Sequence, residues 1–407
     1  MTDWVLKNLI QKEKNRQRKT LNLIASENYP SSEVLKALAS IFTAKYAEGY
    51  PQKRYYQGNY YADKLEKLVQ KRALKLFHCS DKKWSVNVQP YSGSPANLAI
   101  YLALVPLGEK IMGMSLEMGG HLSHGQKVSL TGKLWKQIPY GVSSQTEKLD
   151  YEQIAEIAKK EKPKLIIAGY TAYPLIIDFK KFRKIADEVK AILMVDMSHF
   201  AGLVAGGVYP SPFPYAEVVM TTTHKTLRGP RAALIFSRNE YSEAINKAVF
   251  PLLQGGPHLN NIAAIGIALF EAQKPNFKKY IRQVVKNARI LSQELQKLGW
   301  RIVSGGTNTH LILIDTMAQG LTGKKAAEKL EAIGIVVNKN TIPYDKRKPF
   351  DPSGIRLGTA AVTTRGMKEK EMKIIAHFID QGLREKNVIS LKKEVQKLCQ
   401  KFPLFSS

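Results

Sequence analysis

The chain has 407 residues, 44% of them hydrophobic, enough to bury a sizeable core and suited to two or three domains or one large α/β unit with an appendage. Lysine and arginine number 62 against 34 acidic residues, for a formal net charge of +28. The lysines are spread along the chain, and diffuse charge governs solubility and non-specific association, so nucleic acid is not expected as the main partner. The two cysteines, Cys79 and Cys399, stand in unrelated contexts, which excludes a disulfide framework or a cysteine metal site and suits a reducing cytoplasm.

Residues 1–20 read as a basic amphipathic helix, with Trp4, Leu6, Leu9 and Ile10 apolar and Lys12 to Lys19 charged, the pattern of a docking arm. The start of the chain has no apolar stretch of a secretory signal, and no apolar run approaches membrane-spanning length, so a cytoplasmic protein without a membrane partner is expected. Ser31-Ser32-Glu33 could cap a helix running to about Ala44. Tyrosines, glycines and Glu48 then crowd the loop from Lys45 to Gly58, too polar for a core and too aromatic for a linker; such loops bind a ligand or another subunit. Residues 60–78 are helical in pattern.

Ser92-Gly93-Ser94 leads into a helix of small and apolar residues from Ala96 to Leu104, with Pro95 expected at its first position. Backbone N–H groups and a hydroxyl at a helix start make an anion cradle. Ile111 to Met114 reads as a short strand, followed by the glycine-rich loop Leu116 to Gly125. His121 and His124 on that loop could ligate a metal, but no cluster of Asp, Glu or Cys accompanies them, so no metal is expected. A flat imidazole there could instead stack on a planar cofactor.

Lys164 to Gly169 and Ala191 to His199 are apolar strands, the second carrying Asp196 near its C-terminal end, and Phe179 to Val189 between them is an amphipathic helix. Val218 to Thr223 is a β-branched strand that breaks into a hydroxyl-rich turn holding His224 and Lys225 and closed by Gly229-Pro230. Ala232 to Ser237 is a further strand. Apolar strands alternating with helices indicate a mostly parallel sheet covered on both faces, which binds ligands beyond its strand C-termini. From about Asn276 a long charged helix, short strands and two terminal helices read as a smaller α+β domain. The expected division is an arm over 1–25, a large domain over 26–275 and a small domain over 276–407.

An anion cradle at Ser92–Ser94, an imidazole at His121, a strand-end carboxylate at Asp196 and an amine at Lys225 together suit pyridoxal 5'-phosphate. Its phosphate is held by helix-start N–H groups, its ring nitrogen by a carboxylate and its aldehyde by a Schiff base on a partly desolvated lysine. The sequence resembles serine hydroxymethyltransferase, of the fold-type-I pyridoxal-phosphate transferases, over nearly its whole length. The resemblance is carried by Leu23-Ile24-Ala25-Ser26-Glu27-Asn28-Tyr29, Lys45-Tyr46-Ala47-Glu48-Gly49-Tyr50-Pro51, Gly119-Gly120-His121-Leu122, Val195-Asp196-Met197-Ser198-His199, Thr222-Thr223-His224-Lys225-Thr226-Leu227, Gln254-Gly255-Gly256-Pro257 and Val337-Asn338-Lys339-Asn340.

The resemblance implies a seven-stranded, mostly parallel sheet in the large domain and a homodimer with shared active sites. It implies transfer of the serine hydroxymethyl carbon to tetrahydrofolate, giving glycine, with aldolase side activity on β-hydroxy amino acids. Ser92, Gly93 and Ser94 would hold the cofactor's phosphate, helped by Tyr55 and Gly256 from a second subunit, with Tyr46 also at the cofactor. His121 would stack on the ring, Asp196 pair with its nitrogen, and Thr171, His199 and His224 surround the remainder near Lys225. Arg356 and Ser26 would bind the amino-acid carboxylate, while Glu48, reaching in from a partner subunit, would handle the hydroxyl proton beside Tyr56. Leu116, Gly120, His121, Leu122, Asn340, Lys348, Pro349 and Phe350 match the folate site. A folate-independent threonine-type aldolase would keep Lys225, Asp196 and His121 but would not need Asn340 or the Lys348–Phe350 loop.

Overall fold

The computed structural model describes residues 3–385 and 387–404. They form two compact units, one of residues 28–282 and the other joining the residues up to Glu27 with those from Gln283 onward.

The larger unit is built on a seven-stranded sheet ordered Trp84–Asn87, Ala233–Arg238, Val218–Thr222, Ile192–Asp196, Leu165–Gly169, Lys110–Met114, Lys136–Tyr140. The Ala233–Arg238 strand is antiparallel to both neighbours, and the other pairings are parallel. Leu165–Gly169 and Val218–Thr222 are buried along their whole length, as strands covered on both faces must be. Ala96, Ile100 and Tyr101 of the Gly93–Leu104 helix pack with Ile111, Ile167, Met194 and Met220 in one core cluster. The amphipathic helix Phe179–Val189 buries Phe179, Phe182, Ile185 and Ala186.

In register, Gly169, Asp196 and Met220 lie side by side near the C-terminal ends of three parallel strands. An added Cβ at Gly169 would lie 2.4 Å from the Asp196 carbonyl oxygen, so this close approach excludes any larger residue. Parallel strands put their loops at one edge, and the loops after Met114, Gly169, Asp196 and Thr222 all leave from it.

Two local expectations are corrected. The helix begun at Ser31 ends at Leu38; Ser40 is extended and a separate 3-10 turn spans Ile41–Ala44. Ser40 and the run Ile41, Phe42, Thr43 are poor helix formers, so continuation is weak. The helix after the Ser-Gly-Ser turn begins at Gly93, because Ser92 is extended, and Pro95 is its third residue. Proline is tolerated there because first-turn N–H groups have no intrahelical acceptor.

The smaller unit has a four-stranded antiparallel sheet ordered Arg301–Ile302, Leu311–Asp315, Gly354–Gly358, Asn338–Asn340. Leu21–Asn22 pairs in parallel with Ile335–Val336, which ties the N-terminal residues into this unit. Its core gathers Leu21, Leu23, Leu291, Ile312, Ile355, Leu357, Ile375 and Val395. The first helix, Trp4–Lys19, is capped by Asp3, whose Oδ1 accepts from the Leu6 N–H at 3.0 Å, and it has no buried residue. Its C-terminal end is fastened by Arg365, which donates to the carbonyls of Arg18 and Thr20 and, from a second helix end, of Cys399 and Phe402. Among the described residues, no helix is long and apolar enough to cross a membrane.

Candidate active site

Lys225 sits on the turn that follows Val218–Thr222, half-buried, and its Nζ donates to Thr222 Oγ1 at 3.1 Å. The hydroxyls flanking it fasten the turn. Thr223 Oγ1 donates to the Pro230 carbonyl at 2.6 Å, and Thr226 Oγ1 to the His199 carbonyl at 3.2 Å. The Gly202 N–H donates to Thr226 Oγ1 at 2.9 Å, so the loop after Asp196 and the lysine turn are bound to each other. Asn28 Nδ2 donates to the Lys225 carbonyl at 3.0 Å. Next to the lysine, burial lowers His224 to a pKa of about 3, with the charges of Lys225 and Arg231 adding to the effect. Its imidazole is therefore neutral at physiological pH.

Asp196 is buried at the end of its strand. Burial pushes its pKa up, but hydrogen bonding and charge from His124, with the Ser198 N–H, outweigh this and hold the carboxylate well below its usual range. His124 Nε2 lies 3.0 Å from Oδ2, Asn97 Nδ2 donates to the same oxygen at 3.1 Å, and the Ser198 N–H donates to Oδ1 at 3.0 Å. His199, on the same loop, is buried.

The loop after Met114 delivers His121. Gly120 N–H donates to the Ser115 carbonyl, and Gly119, at φ +106, accepts from the N–H groups of Thr171 and Ala172. An added Cβ at Gly120 would lie 2.0 Å from the Met114 oxygen, so only glycine lets the chain double back here. Thr171 is thereby stitched beside Gly119. His121 Nδ1 accepts from the Ser123 N–H at 3.1 Å and lies 2.7 Å from Ser123 Oγ. Leu116 and Leu122 lie on the same loop, half-buried and exposed respectively.

Ser92, Gly93 and Ser94 form the start of the Gly93–Leu104 helix, with no side-chain cap from Ser92. Gly93 packs on the lysine's hydrogen-bond partner: an added Cβ would lie 2.7 Å from Thr222 Cγ2. The phosphate-type cradle and the lysine turn are thus adjacent.

A second group of expected residues lies around a cavity of about 650 Å³ whose lining includes Tyr46, Glu48, Tyr91, Gly255, Gly256 and His258. Glu48 approaches Gly255, where an added Cβ would lie 3.3 Å from Glu48 Oε1. Tyr56 meets Tyr46 and Tyr55 edge-on, at 5.5 and 5.3 Å between ring centroids. Tyr91 Oη donates to the Gly256 carbonyl at 2.8 Å.

This tyrosine-rich loop is held from beneath by a buried ionic network that the sequence did not announce. Arg54 donates to the carbonyls of Ala47 and Gly49, on either side of Glu48, each at 2.8 Å. The same guanidinium pairs with Asp63 at 2.8 Å and Glu66 at 2.6 Å. Gln89 Nε2 donates to Glu66 and to the Gly49 carbonyl. Burial pushes the Glu66 carboxyl above its ordinary range, opposed by Arg54.

Ser26, Asn340, Lys348, Pro349, Phe350 and Arg356 belong to the smaller unit. Arg356 is buried on Gly354–Gly358 and donates from Nε to Asn338 Oδ1 at 3.0 Å. Burial lowers its pKa to about 10, so it remains a cation at neutral pH. Ser26 is half-buried, and Asn340 ends the edge strand Asn338–Asn340. Lys339 Nζ donates to the Phe350 carbonyl at 2.5 Å, and Arg347 pairs with Asp351, which closes the loop over Lys348, Pro349 and Phe350. The Phe350 side chain is 85% exposed.

The donor set of the larger unit fits pyridoxal phosphate. An uncapped helix start suits a dianion, a buried ionised carboxylate suits a protonated ring nitrogen, and a half-buried lysine on the turn after the neighbouring strand suits an aldehyde. Sequence reasoning missed Asn97, Ser123, Arg54 and Glu66 and read His124 only as a possible metal ligand; Asn97 and His124 meet Asp196 from 99 and 72 positions away.

The family model described as serine hydroxymethyltransferase matches residues 1–379. A serine hydroxymethyltransferase of Desulfotalea psychrophila is 55% identical over 399 residues, covering 97% of this chain and 93% of that protein. The lysine turn, strand-end carboxylate and glycine-rich histidine loop therefore lie within a match that spans nearly the whole chain, and the chain belongs to the serine hydroxymethyltransferase family.

Proposed function

We propose that this protein interconverts serine and glycine, with tetrahydrofolate accepting the one-carbon unit as methylenetetrahydrofolate, and with pyridoxal phosphate as cofactor. The observation that carries the reading is the pairing of a buried, ionised Asp196 with a half-buried Lys225 on adjacent strand ends. When bound, pyridoxal phosphate supplies a ring that withdraws electron density from the amino acid's Cα.

The protein's residues do the remainder. Lys225 would hold the cofactor through its aldehyde, and the Lys225 contact with Thr222 orients the amine. Asp196 keeps the ring nitrogen protonated by offering it an anion. Ser92, Gly93 and Ser94 bind the phosphate, with Tyr46, Tyr55 and Gly256 contributing around it. His121 would stack on the ring, while Thr171, His199 and neutral His224 would border its other substituents. Arg356, a rigid cationic fork, grips the substrate carboxylate with Ser26 beside it, fixing which Cα bond is aligned to break. Glu48 moves the proton of the serine hydroxyl, and Tyr56 lines the same place. Leu116, Gly120, Leu122, Asn340, Lys348, Pro349 and Phe350 contact the folate.

The Lys45–Gly58 loop, exposed at Tyr46, Tyr55 and Tyr56, supports a homodimer in which Glu48 serves a partner's site. A cytoplasmic location and a side activity as an aldolase toward β-hydroxy amino acids belong to the same reading. The test is to incubate the purified protein with pyridoxal phosphate, serine and tetrahydrofolate and measure glycine. Glycine formation that requires both the cofactor and tetrahydrofolate supports the assignment. Cleavage of β-hydroxy amino acids with no response to tetrahydrofolate would instead make the protein a folate-independent aldolase.

A further inference from the structure

Five side chains of the larger unit form one unbroken polar chain: His121, Ser123, Asn97, Asp196 and His124. Asn97 is at its centre. It stands one turn into the Gly93–Leu104 helix, 1% exposed, and its amide nitrogen reaches Ser123 Oγ at 2.8 Å and Asp196 Oδ2 at 3.1 Å. An amide nitrogen carries two N–H groups, one for each acceptor.

The Ser123 backbone N–H can only donate, so His121 Nδ1 must accept, and the His121 proton sits on Nε2. Ser123 Oγ receives the Asn97 N–H, which leaves its own hydroxyl hydrogen for His121 Nδ1. Two donors aimed at Nδ1 disfavour a second proton there and so disfavour an imidazolium. At the other end, the second Asn97 N–H adds to those of His124 and Ser198 on the Asp196 carboxylate. A protonated Asp196 would waste those donors.

We propose that Asn97 is a positioning residue that sets two charge states at once: it keeps Asp196 an oriented anion and, through Ser123, keeps His121 neutral in its Nε2–H form. This rests on the pyridoxal-phosphate reading. A neutral imidazole can lie against a positively charged ring without repulsion, while the anion meets that ring's nitrogen. The same helix begins with the phosphate cradle at Gly93. One rigid element therefore carries the phosphate-binding amides and, one turn later, the amide that orders the two ring contacts.

The test uses the full-length protein with Asn97→Ala and Ser123→Ala. Three quantities are measured: the pyridoxal phosphate dissociation constant from visible absorbance, the pattern of histidine side-chain ¹⁵N signals without cofactor as pH is lowered, and thermal unfolding. A His121→Asn variant assigns the His121 signals. The Asn97→Ala variant is expected to weaken cofactor binding at least about tenfold, the scale of one lost hydrogen bond to a charged group, and, because the Ser123 hydroxyl can then turn from Nδ1, to let His121 form imidazolium at a higher pH than in the parent. Ser123→Ala keeps the backbone N–H on Nδ1 and loses only the hydroxyl donor, so it is expected to retain the Nε2–H tautomer, to form imidazolium at a higher pH, and to keep cofactor affinity within a few fold. A folded Asn97→Ala protein with unchanged affinity and an unchanged His121 pattern would overturn the proposal. If Asn97→Ala does not fold, an unchanged His121 pattern in Ser123→Ala overturns it instead. A wild-type protein that binds no pyridoxal phosphate overturns the functional reading, and with it this role for Asn97. Normal wild-type binding with an unaltered variant removes the Asn97 role alone.

Discussion

His124 Nε2 lies 3.0 Å from Asp196 Oδ2, with both residues buried, although 72 positions separate them in the chain. This pairing lets a carboxylate stay ionised beneath the loops at the edge of a parallel sheet. Replacing His124 with alanine removes a donor from a buried charge and leaves a cavity. The expected cost is roughly 2–4 kcal/mol of stability, read as a lower denaturant midpoint. A variant as stable as the parent would mean the contact carries nothing.

Gly93 is the residue most sensitive to a single added methyl group at the phosphate cradle. Gly93→Ala would place Cβ 2.7 Å from Thr222 Cγ2, a β-branched side chain that is buried and cannot swing aside. Cofactor affinity is expected to fall by about tenfold or more while the protein stays folded, because a helix start displaced by a fraction of an ångström misaligns its N–H groups. Absorbance titration with pyridoxal phosphate checks this, and unaltered affinity would remove Gly93 from the phosphate site.

Glu66 and Arg54 are buried together beneath the loop that presents Glu48. Without Glu66, the buried Arg54 guanidinium keeps Asp63 as its one carboxylate partner and Gln89 loses an acceptor, so Glu66→Ala is expected to destabilise by about 2–3 kcal/mol. Chemical denaturation of the two proteins measures it. A loss below about 1 kcal/mol would mean that the pair is solvated in solution.

Acid should act on this protein through His224. Its pKa of about 3 in the folded state lies below the ordinary 6.5. Between those values the unfolded chain binds a proton that the native protein refuses, so stability falls as pH drops from about 6.5 toward 3. By pH 5 the loss from this one group is about 2 kcal/mol. Asp196, also lowered, adds a loss that begins only near the ordinary carboxylate range. His224→Asn should flatten the slope of stability against pH between 6.5 and 5, and an unchanged slope would exclude the histidine as its source.

Arg356 carries the substrate-binding proposal in the smaller unit. Arg356→Lys keeps the charge but loses the planar fork, and the serine concentration for half-maximal turnover is expected to rise by roughly ten- to a hundredfold. Steady-state kinetics decides this, and a parent-like serine dependence would place the carboxylate site elsewhere.

The sequence made the sheet legible because its strands are buried on both faces and read as apolar runs, as in Leu165–Gly169 and Val218–Thr222. Asp196 and Lys225 were legible because each follows such a run, where ligands of α/β sheets gather. Asn97, Ser123 and His124 were not, since a buried asparagine, serine and histidine carry no local pattern. Their meaning lies in contacts across 26, 99 and 72 positions. His124 was noticed only as half of a weak metal-type pair with His121. Arg54 and Glu66 are only 12 positions apart but were hidden by their settings, one in a tyrosine-rich loop and the other on what reads as an ordinary charged helix. The early end of the Ser32–Leu38 helix turned on a single extended residue, Ser40, which helical periodicity does not register.

The most direct measurement is to load the protein with pyridoxal phosphate, reduce it with borohydride, and locate the attached cofactor by peptide mass mapping. The expected result is one cofactor per chain on Lys225, lost in Lys225→Gln. Attachment to a different lysine, or no attachment under conditions where the protein is folded, would contradict the placement of the cofactor between Asp196 and Lys225.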